Sequence, residues 1–169
     1  MRIETIIRQA KPGDENNLIK MFRVLYQESD FLLMESDEFD LTAEKQARLI
    51  EEYTGSNLQV LFVAENSGTI VGFLGGTGGN ANRNRHTIHI AMGVLEKHQG
   101  KGIGRQLLLA FIDWAISNQF NRIELTVIES NTKAKALYES MEFEIEGLKR
   151  NALKVNGNYI NEHYMAKLI

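Results

Sequence analysis

Six consecutive residues, Gln99-Gly100-Lys101-Gly102-Ile103-Gly104, constrain this chain more than any others. Glycine at every second position works against a regular helix or strand, because each glycine loses the most backbone freedom on folding. The flanks differ in period. Residues 86–94 read as a β-strand, whereas Ile103, Leu107, Phe111 and Trp114 fall on one face of a helix. The run is therefore a strand-to-helix turn. Glycines let the backbone turn tightly and approach an anion without a Cβ, and the unpaired N–H groups of a helix start favour negative charge. Such a loop suits a pyrophosphate. It lacks the GxxxxGK[ST] spacing, and Arg105 stands where GxGxxG would need glycine. Its spacing is Q/R-x-x-G-x-G/A, and the alternative on these residues alone is a tight turn without a ligand.

The rest of the chain supplies the elements around this turn. Ile3, Thr5 and Ile7 alternate with Arg2 and Glu4, which predicts a first strand. Pro12-Gly13-Asp14 breaks it, and Asp14 caps a helix whose stripe is Leu18, Met21, Phe22 and Leu25. Residues 28–40 are acidic and irregular. Thr42 caps a second helix with Ala43, Ala47, Ile50 and Tyr53 on its buried side. Strands are expected at 58–65 and 69–75 around the turn Asn66-Ser67-Gly68, then a Gly/Asn-rich loop over 75–84. Residues 122–128 alternate as a strand, 132–141 form a helix, and strands at 143–154 and 159–168 meet at Asn156-Gly157. The order is β-α-α-β-β-β-α-β-α-β-β, a mixed α/β chain expected to form a single domain over residues 1–169.

Composition narrows the function. Hydrophobic residues make up 43% and charged residues 24%, as in ordinary globular chains. A net charge of −3 disfavours nucleic-acid binding through bulk electrostatics. There is no cysteine, which removes disulfides, cysteine nucleophiles and thiolate zinc sites. Among the histidines, His98 and His163 have no ligand-spaced partners, and His86 and His89, three apart on one strand, face opposite sides, so no metal site is expected. The first ten residues lack the apolar core of a signal peptide, and no segment approaches the length of a membrane span. The expectation is a cytoplasmic enzyme or binding protein with no membrane or nucleic-acid partner.

A second motif follows the glycine loop by about thirty residues: Asn131-x-x-Ala134-x-x-Leu137-Tyr138-Glu139-Ser140-Met141-Glu142-Phe143. Together with the loop and the element order, it resembles the GNAT superfamily of acetyl-CoA-dependent N-acetyltransferases, whose pattern here is N-x-x-A-x-x-L-Y-x-x-x-G-F. The resemblance covers nearly the whole chain. It implies a GNAT-like domain with a central mixed, twisted sheet of about seven strands flanked by four helices. It implies that the backbone of Val94, Leu95 and Glu96 pairs with the pantetheine arm of acetyl-CoA. Gln99, Gly100, Lys101, Gly102, Ile103 and Gly104, with Arg105, would hold the pyrophosphate, and Asn131 would bond to the same side of the groove. Tyr138 would protonate the departing thiolate, a role suited to a phenol that stays protonated at neutral pH. Glu142 replaces the usual glycine of the motif, which predicts a less sharp turn after Met141.

The acceptor implied is a primary amine, of a small molecule or a protein N-terminus. An amine must lose a proton to attack a thioester, so a base is needed. The candidates are Glu28 and Asp30 after the first helix, and His86 and His89 on the central strand, with Glu28 ranked first. Phe31, Leu33 and Phe39 offer apolar contacts in the same acidic segment. Direct attack needs no covalent enzyme intermediate, in keeping with the missing cysteine. A non-catalytic CoA-binding module on the same fold is the rival, a nucleotide phosphate binder is a third class, and a homodimer is expected only at the level of the family.

Overall fold

Two hairpin turns set the registers of the sheet. Ser67 and Gly68 have φ of 50° and 77°, and Asn156 and Gly157 have 49° and 82°. Positive φ at both central residues gives the turn twist that matches antiparallel strands. The computed structural model describes residues 5–169. The first turn joins β2 (Gln59–Asn66) to β3 (Thr69–Gly78), and the second joins β6 (Glu144–Val155) to β7 (Asn158–Leu168). With β1 (Thr5–Gln9), β4 (Thr87–Val94) and β5 (Arg122–Ile128) they form one seven-stranded sheet in the order β1-β2-β3-β4-β5-β7-β6. Among the described strands only the β4–β5 pair is parallel. The expected alternation at Arg2, Ile3 and Glu4 lies outside the described residues.

Four α-helices cover the sheet: α1 (Glu15–Glu28), α2 (Ala43–Thr54), α3 (Ile103–Ser117) and α4 (Thr132–Ser140). The expected element order is the observed one. Helices α1 and α2 lie on one face, where Leu18, Met21, Leu25 and Ile50 pack with Val63, Ile70 and Phe73. Helices α3 and α4 lie on the other, where Leu107, Phe111 and Tyr138 pack with Leu74, Ile88, Ile123 and Met165. A bulge places Val71 between the pairs Ala64/Gly72 and Glu65/Ile70, so β3 switches which parity of side chain faces which core. Among the described residues, no helix is long and apolar enough to cross a membrane.

Four expectations need correction. Residues 75–78 belong to β3 rather than to a loop. A Cβ on Gly76 would lie 2.5 Å from Phe111 Cε2, so that glycine serves close packing of α3 against the sheet. On α2 the buried side chains are Gln46 and Ile50, while Ala43 is exposed. His86 precedes β4, and its carbonyl accepts from the backbone N–H groups of Asn121 and Arg122. Asp14 occupies the N-cap position of α1 as expected, yet its carboxylate does not cap. It pairs instead with Arg8 at 2.7 and 2.8 Å, and Arg8 also reaches Glu65.

Candidate active site

The central feature is a parting of strands. β4 and β5 pair only at Thr87/Arg122, Ile88/Ile123 and His89/Glu124, after which β4 runs on to Val94 and β5 to Ile128 without pairing to each other. On its other side β4 stays bound to β3 to the end: Leu95 N–H donates to Val71 O at 2.9 Å, and Gly79 N–H donates to Thr87 O at 3.0 Å. Strand alternation therefore directs the backbone groups of Ile90, Met92 and Val94 into the gap.

The glycine loop lies at one end of this gap. A one-turn 3₁₀ helix (Glu96–His98) leads into it. Gln99 Nε2 donates back to Val94 O at 3.0 Å, and Lys101 Nζ donates to Lys97 O at 2.7 Å. Gly100 and Gly102 have φ of 71° and 79°, with open space beyond each Cα. Gly104 is glycine for a different reason, since a Cβ there would lie 2.9 Å from Leu137 Cδ2 and 3.3 Å from Met92 Cε. The first glycines shape the backbone, and the third lets α3 approach α4 and β4. Among the described residues no side chain caps α3, whose first internal bond runs from Gln106 N–H to Gly102 O at 3.0 Å. The amides of Ile103, Gly104 and Arg105 are therefore free of helix partners.

Helix α4 borders the gap from the β5 side. Asn131 Oδ1 accepts from Ala134 N–H at 3.2 Å and caps it. Tyr138 is 7% exposed, and its ring lies 5.6 Å from Phe143. Among the described residues its hydroxyl makes no hydrogen bond, and burial pushes the phenol pKa up from its ordinary value. Val94 and Leu95 pack against the cluster that contains Tyr138, so the end of β4 and α4 share one core. The turn after Met141 is sharp despite the missing glycine: Glu142 itself takes φ 65° and pairs with Lys167 at 2.6 Å.

Glu28 closes the site from the α1 side. Its Oε1 accepts from Glu96 N–H at 2.5 Å. Phe39 from the acidic segment stacks near Phe22 and Tyr26, with ring centroids 5.8 and 5.2 Å away, while Phe31 and Leu33 are exposed. Direct bonds thus join Glu28 to Glu96 and Gln99 to Val94, and packing joins Gly104 to α4. Among the described residues no cluster of three or more His, Asp or Glu is placed to hold a metal ion.

Two hollows flank His89, and sequence reasoning missed both. One is a recess of about 230 Å³ between α1, α2 and strands β3 and β4, with the buried Gln46 in its wall. Gln46 and Ile50, at i and i+4, carried the signal for this face. The other, about 510 Å³, runs along β5 and β7 beside the ion pairs of Arg122 with Glu124 and Glu146. Near it, the buried Glu162 accepts from Thr126 Oγ1 at 3.2 Å and from Lys149 Nζ at 3.4 Å.

Comparison with known proteins places these features in a wider set. The pattern of the acetyltransferase (GNAT) family matches residues 21–143. The N-alpha-acetyltransferase RimI of Mycobacterium tuberculosis is 36% identical over 95 residues, which cover 56% of this chain and 58% of that protein. The L-amino acid N-acetyltransferase AaaT of Escherichia coli is 30% identical over 87 residues, covering 51% and 54%. The chain thus spans somewhat more than half the length of these curated relatives. A solved acetyltransferase of the GNAT family from Streptococcus pneumoniae superposes with a TM-score of 0.95 at 29% identity, covering 98% of this chain and 100% of that one. The protein yncA of Salmonella typhimurium, solved with acetyl-CoA, has the same fold, with a TM-score of 0.85 at 18% identity over 97% and 93% of the two chains.

Proposed function

The chain belongs to the acetyltransferase (GNAT) family, and on that premise we propose that it transfers an acetyl group from acetyl-CoA to a primary amine by direct attack within a ternary complex, acting as one domain. The observation that carries this reading is the free edge of β4 leading into the uncapped start of α3. The gap offers backbone donors and acceptors to an extended amide-bearing arm, and the loop offers free amides to a pyrophosphate. The open space at Gly100 and Gly102 fits such a ligand, because a side chain there would stand in the cradle.

In this reading Val94 meets the pantetheine arm with its backbone. Leu95 and Glu96, expected to do the same, have their N–H and C=O groups engaged by Val71, Glu28, His98 and Gln99 and instead fix the end of β4. Residues 99–104 with Arg105 hold the pyrophosphate. Asn131 sets the start of α4 beside them. The Val94 amide, directed into the gap, donates to the thioester oxygen as negative charge grows there. Glu28 takes the proton of the incoming ammonium on Oε2, since Oε1 is engaged by Glu96. Tyr138, kept protonated by burial, gives its proton to the sulfur as the carbon–sulfur bond breaks. The second proton shed by the nitrogen as the amide forms restores the Tyr138 phenol, Glu28 passes its proton to solvent, and the products are the acetylated amine and free CoA thiol.

Calorimetric titration with acetyl-CoA, with ATP as control, tests the first half of this reading. Selective binding of acetyl-CoA is expected, and thiol release in the presence of amines follows from it. Acetyl-CoA binding without thiol release from any amine would instead support a CoA-binding module, a reading favoured only by the structural employment of Tyr138 in the core. No acetyl-CoA binding by a folded sample would reduce the loop to a turn.

A further inference from the structure

The recess between α1, α2, β3 and β4 has no part in the chemistry above. Phe22, Leu49, Leu61 and Phe73 wall it, and the Phe22 and Phe73 rings meet edge to face with centroids 4.8 Å apart. Its floor is kept open by small residues: a Cβ on Gly75 would meet only Leu61 Cδ1, at 3.8 Å. Among the described residues no Asp, Glu, Lys or Arg lines it, and its polar side chains besides Gln46 are Tyr53, Thr77 and His89 at the rim. Gln46 enters from α2, is 2% exposed, and among the described residues its side chain makes no hydrogen bond; its Oε1 is sealed without a partner. A buried amide left unpaired is costly, so its retention points to a partner that arrives from outside the chain.

The recess is also placed for the reaction. Phe73 is the β3 partner of Gly93, the residue before Val94. Ala91, on the recess side of β4, stands roughly 10 Å from Val94 at the usual rise of about 3.3 Å per residue. A volume of about 230 Å³ is below that of pockets holding whole drug-sized ligands, roughly 300–1,000 Å³, and suits one side chain.

Resting on the acetyl-transfer reading, we infer that this recess receives the side chain of the acceptor, and that the acceptor is a primary amine whose side chain is uncharged and largely apolar, with one hydrogen-bonding group met by Gln46. A charged side chain would lose its hydration there and find no Asp, Glu, Lys or Arg to pair with. A polar group at the end of an apolar side chain would find the amide that now has no partner.

The test compares tyramine, phenethylamine and cadaverine as acceptors, following thiol release, with acetyl-CoA affinity measured separately by calorimetry. Tyramine is expected to exceed cadaverine in kcat/KM by tenfold or more and to exceed phenethylamine. Gln46→Leu should erase the preference for tyramine over phenethylamine while acetyl-CoA affinity stays within about twofold. Ala91→Phe, at an exposed position, should fill the recess and raise KM for both aromatic amines at least tenfold. A protein that binds acetyl-CoA but prefers cadaverine, or turns over neither aromatic amine, overturns the inference. So does an Ala91→Phe variant with unchanged KM. Loss of acetyl-CoA binding in the unaltered protein would instead remove the acetyl-transfer reading on which the inference stands.

Discussion

Glu28 at the end of α1 accepts the backbone N–H of Glu96 at 2.5 Å, across 68 residues of sequence. The carboxylate ties α1, which walls the recess around Gln46, to the turn that begins the glycine loop. The α1 side and the glycine-loop side of the gap therefore meet at one hydrogen bond, and that bond engages only one of two carboxylate oxygens.

Glu28→Gln keeps an acceptor for Glu96 N–H but removes the proposed base. Turnover should fall by about 10²-fold or more, the usual scale for general-base loss, with acetyl-CoA affinity nearly unchanged. Glu28→Ala should lose both turnover and affinity. Steady-state kinetics and calorimetry on the two variants separate the roles: weakened affinity at full turnover would assign Glu28 to positioning alone.

Tyr138→Phe removes a hydroxyl that holds no hydrogen bond among the described residues, so the melting temperature should barely move. Turnover should drop about 10²-fold at constant acetyl-CoA affinity. Burial raises the phenol pKa, which favours the protonated form, so the alkaline side of the kcat profile should show no loss from Tyr138 below pH ~10. A loss near neutral pH that vanishes in the Phe variant would contradict this assignment.

Gly102→Ala forces a side chain into left-handed backbone, at a cost of about 1–2 kcal/mol. Its methyl group has room in the folded protein but stands in the cradle, so acetyl-CoA affinity should weaken at least tenfold. Gly104→Ala acts otherwise. The added methyl meets Leu137 at 2.9 Å and should lower thermal stability through displaced packing of α3 on α4. Melting curves and calorimetry read the two effects apart.

Asp14 is 4% exposed, and burial alone would disfavour its charge. Hydrogen bonds from Arg8 and the Lys11 amide outweigh that and hold its carboxyl below the usual range. A lowered carboxyl pKa stabilises the fold above the unfolded value near 3.9, and the contribution is lost as pH falls through the folded value. Asp14→Asn should cost about 2–3 kcal/mol at pH 7 and lower Tm by roughly 5–10 °C. The gap to the unaltered protein should close below pH ~4. Thermal melts across that range provide the check.

Local signals are legible where a residue's own chemistry decides its conformation. Asn156-Gly157 demands a hairpin, Thr42 caps α2, and the stripe from Leu18 to Leu25 finds its core. The glycine loop is legible for the same reason, since positive φ at Gly100 and Gly102 is a property of those residues. Signals fail where the reason is a partner distant in sequence. Gly76 reads as a loop residue among its neighbours because Phe111, which needs its missing Cβ, comes 35 positions later. Glu142 reads as softening a turn that it makes sharply, with Lys167 from the last strand beside it.

The amino-acid sequence by itself determined the order of elements and the loop between β4 and α3, because periodicity, caps and turn residues act over a few neighbours. Tertiary structure alone decided the gap between β4 and β5, the bond from Glu28 to Glu96 and the lining of the recess around Gln46. Each of these depends on how strands and helices from separate parts of the chain meet. Such meetings are set by the packing of two cores on opposite faces of one sheet, which no short window of residues contains.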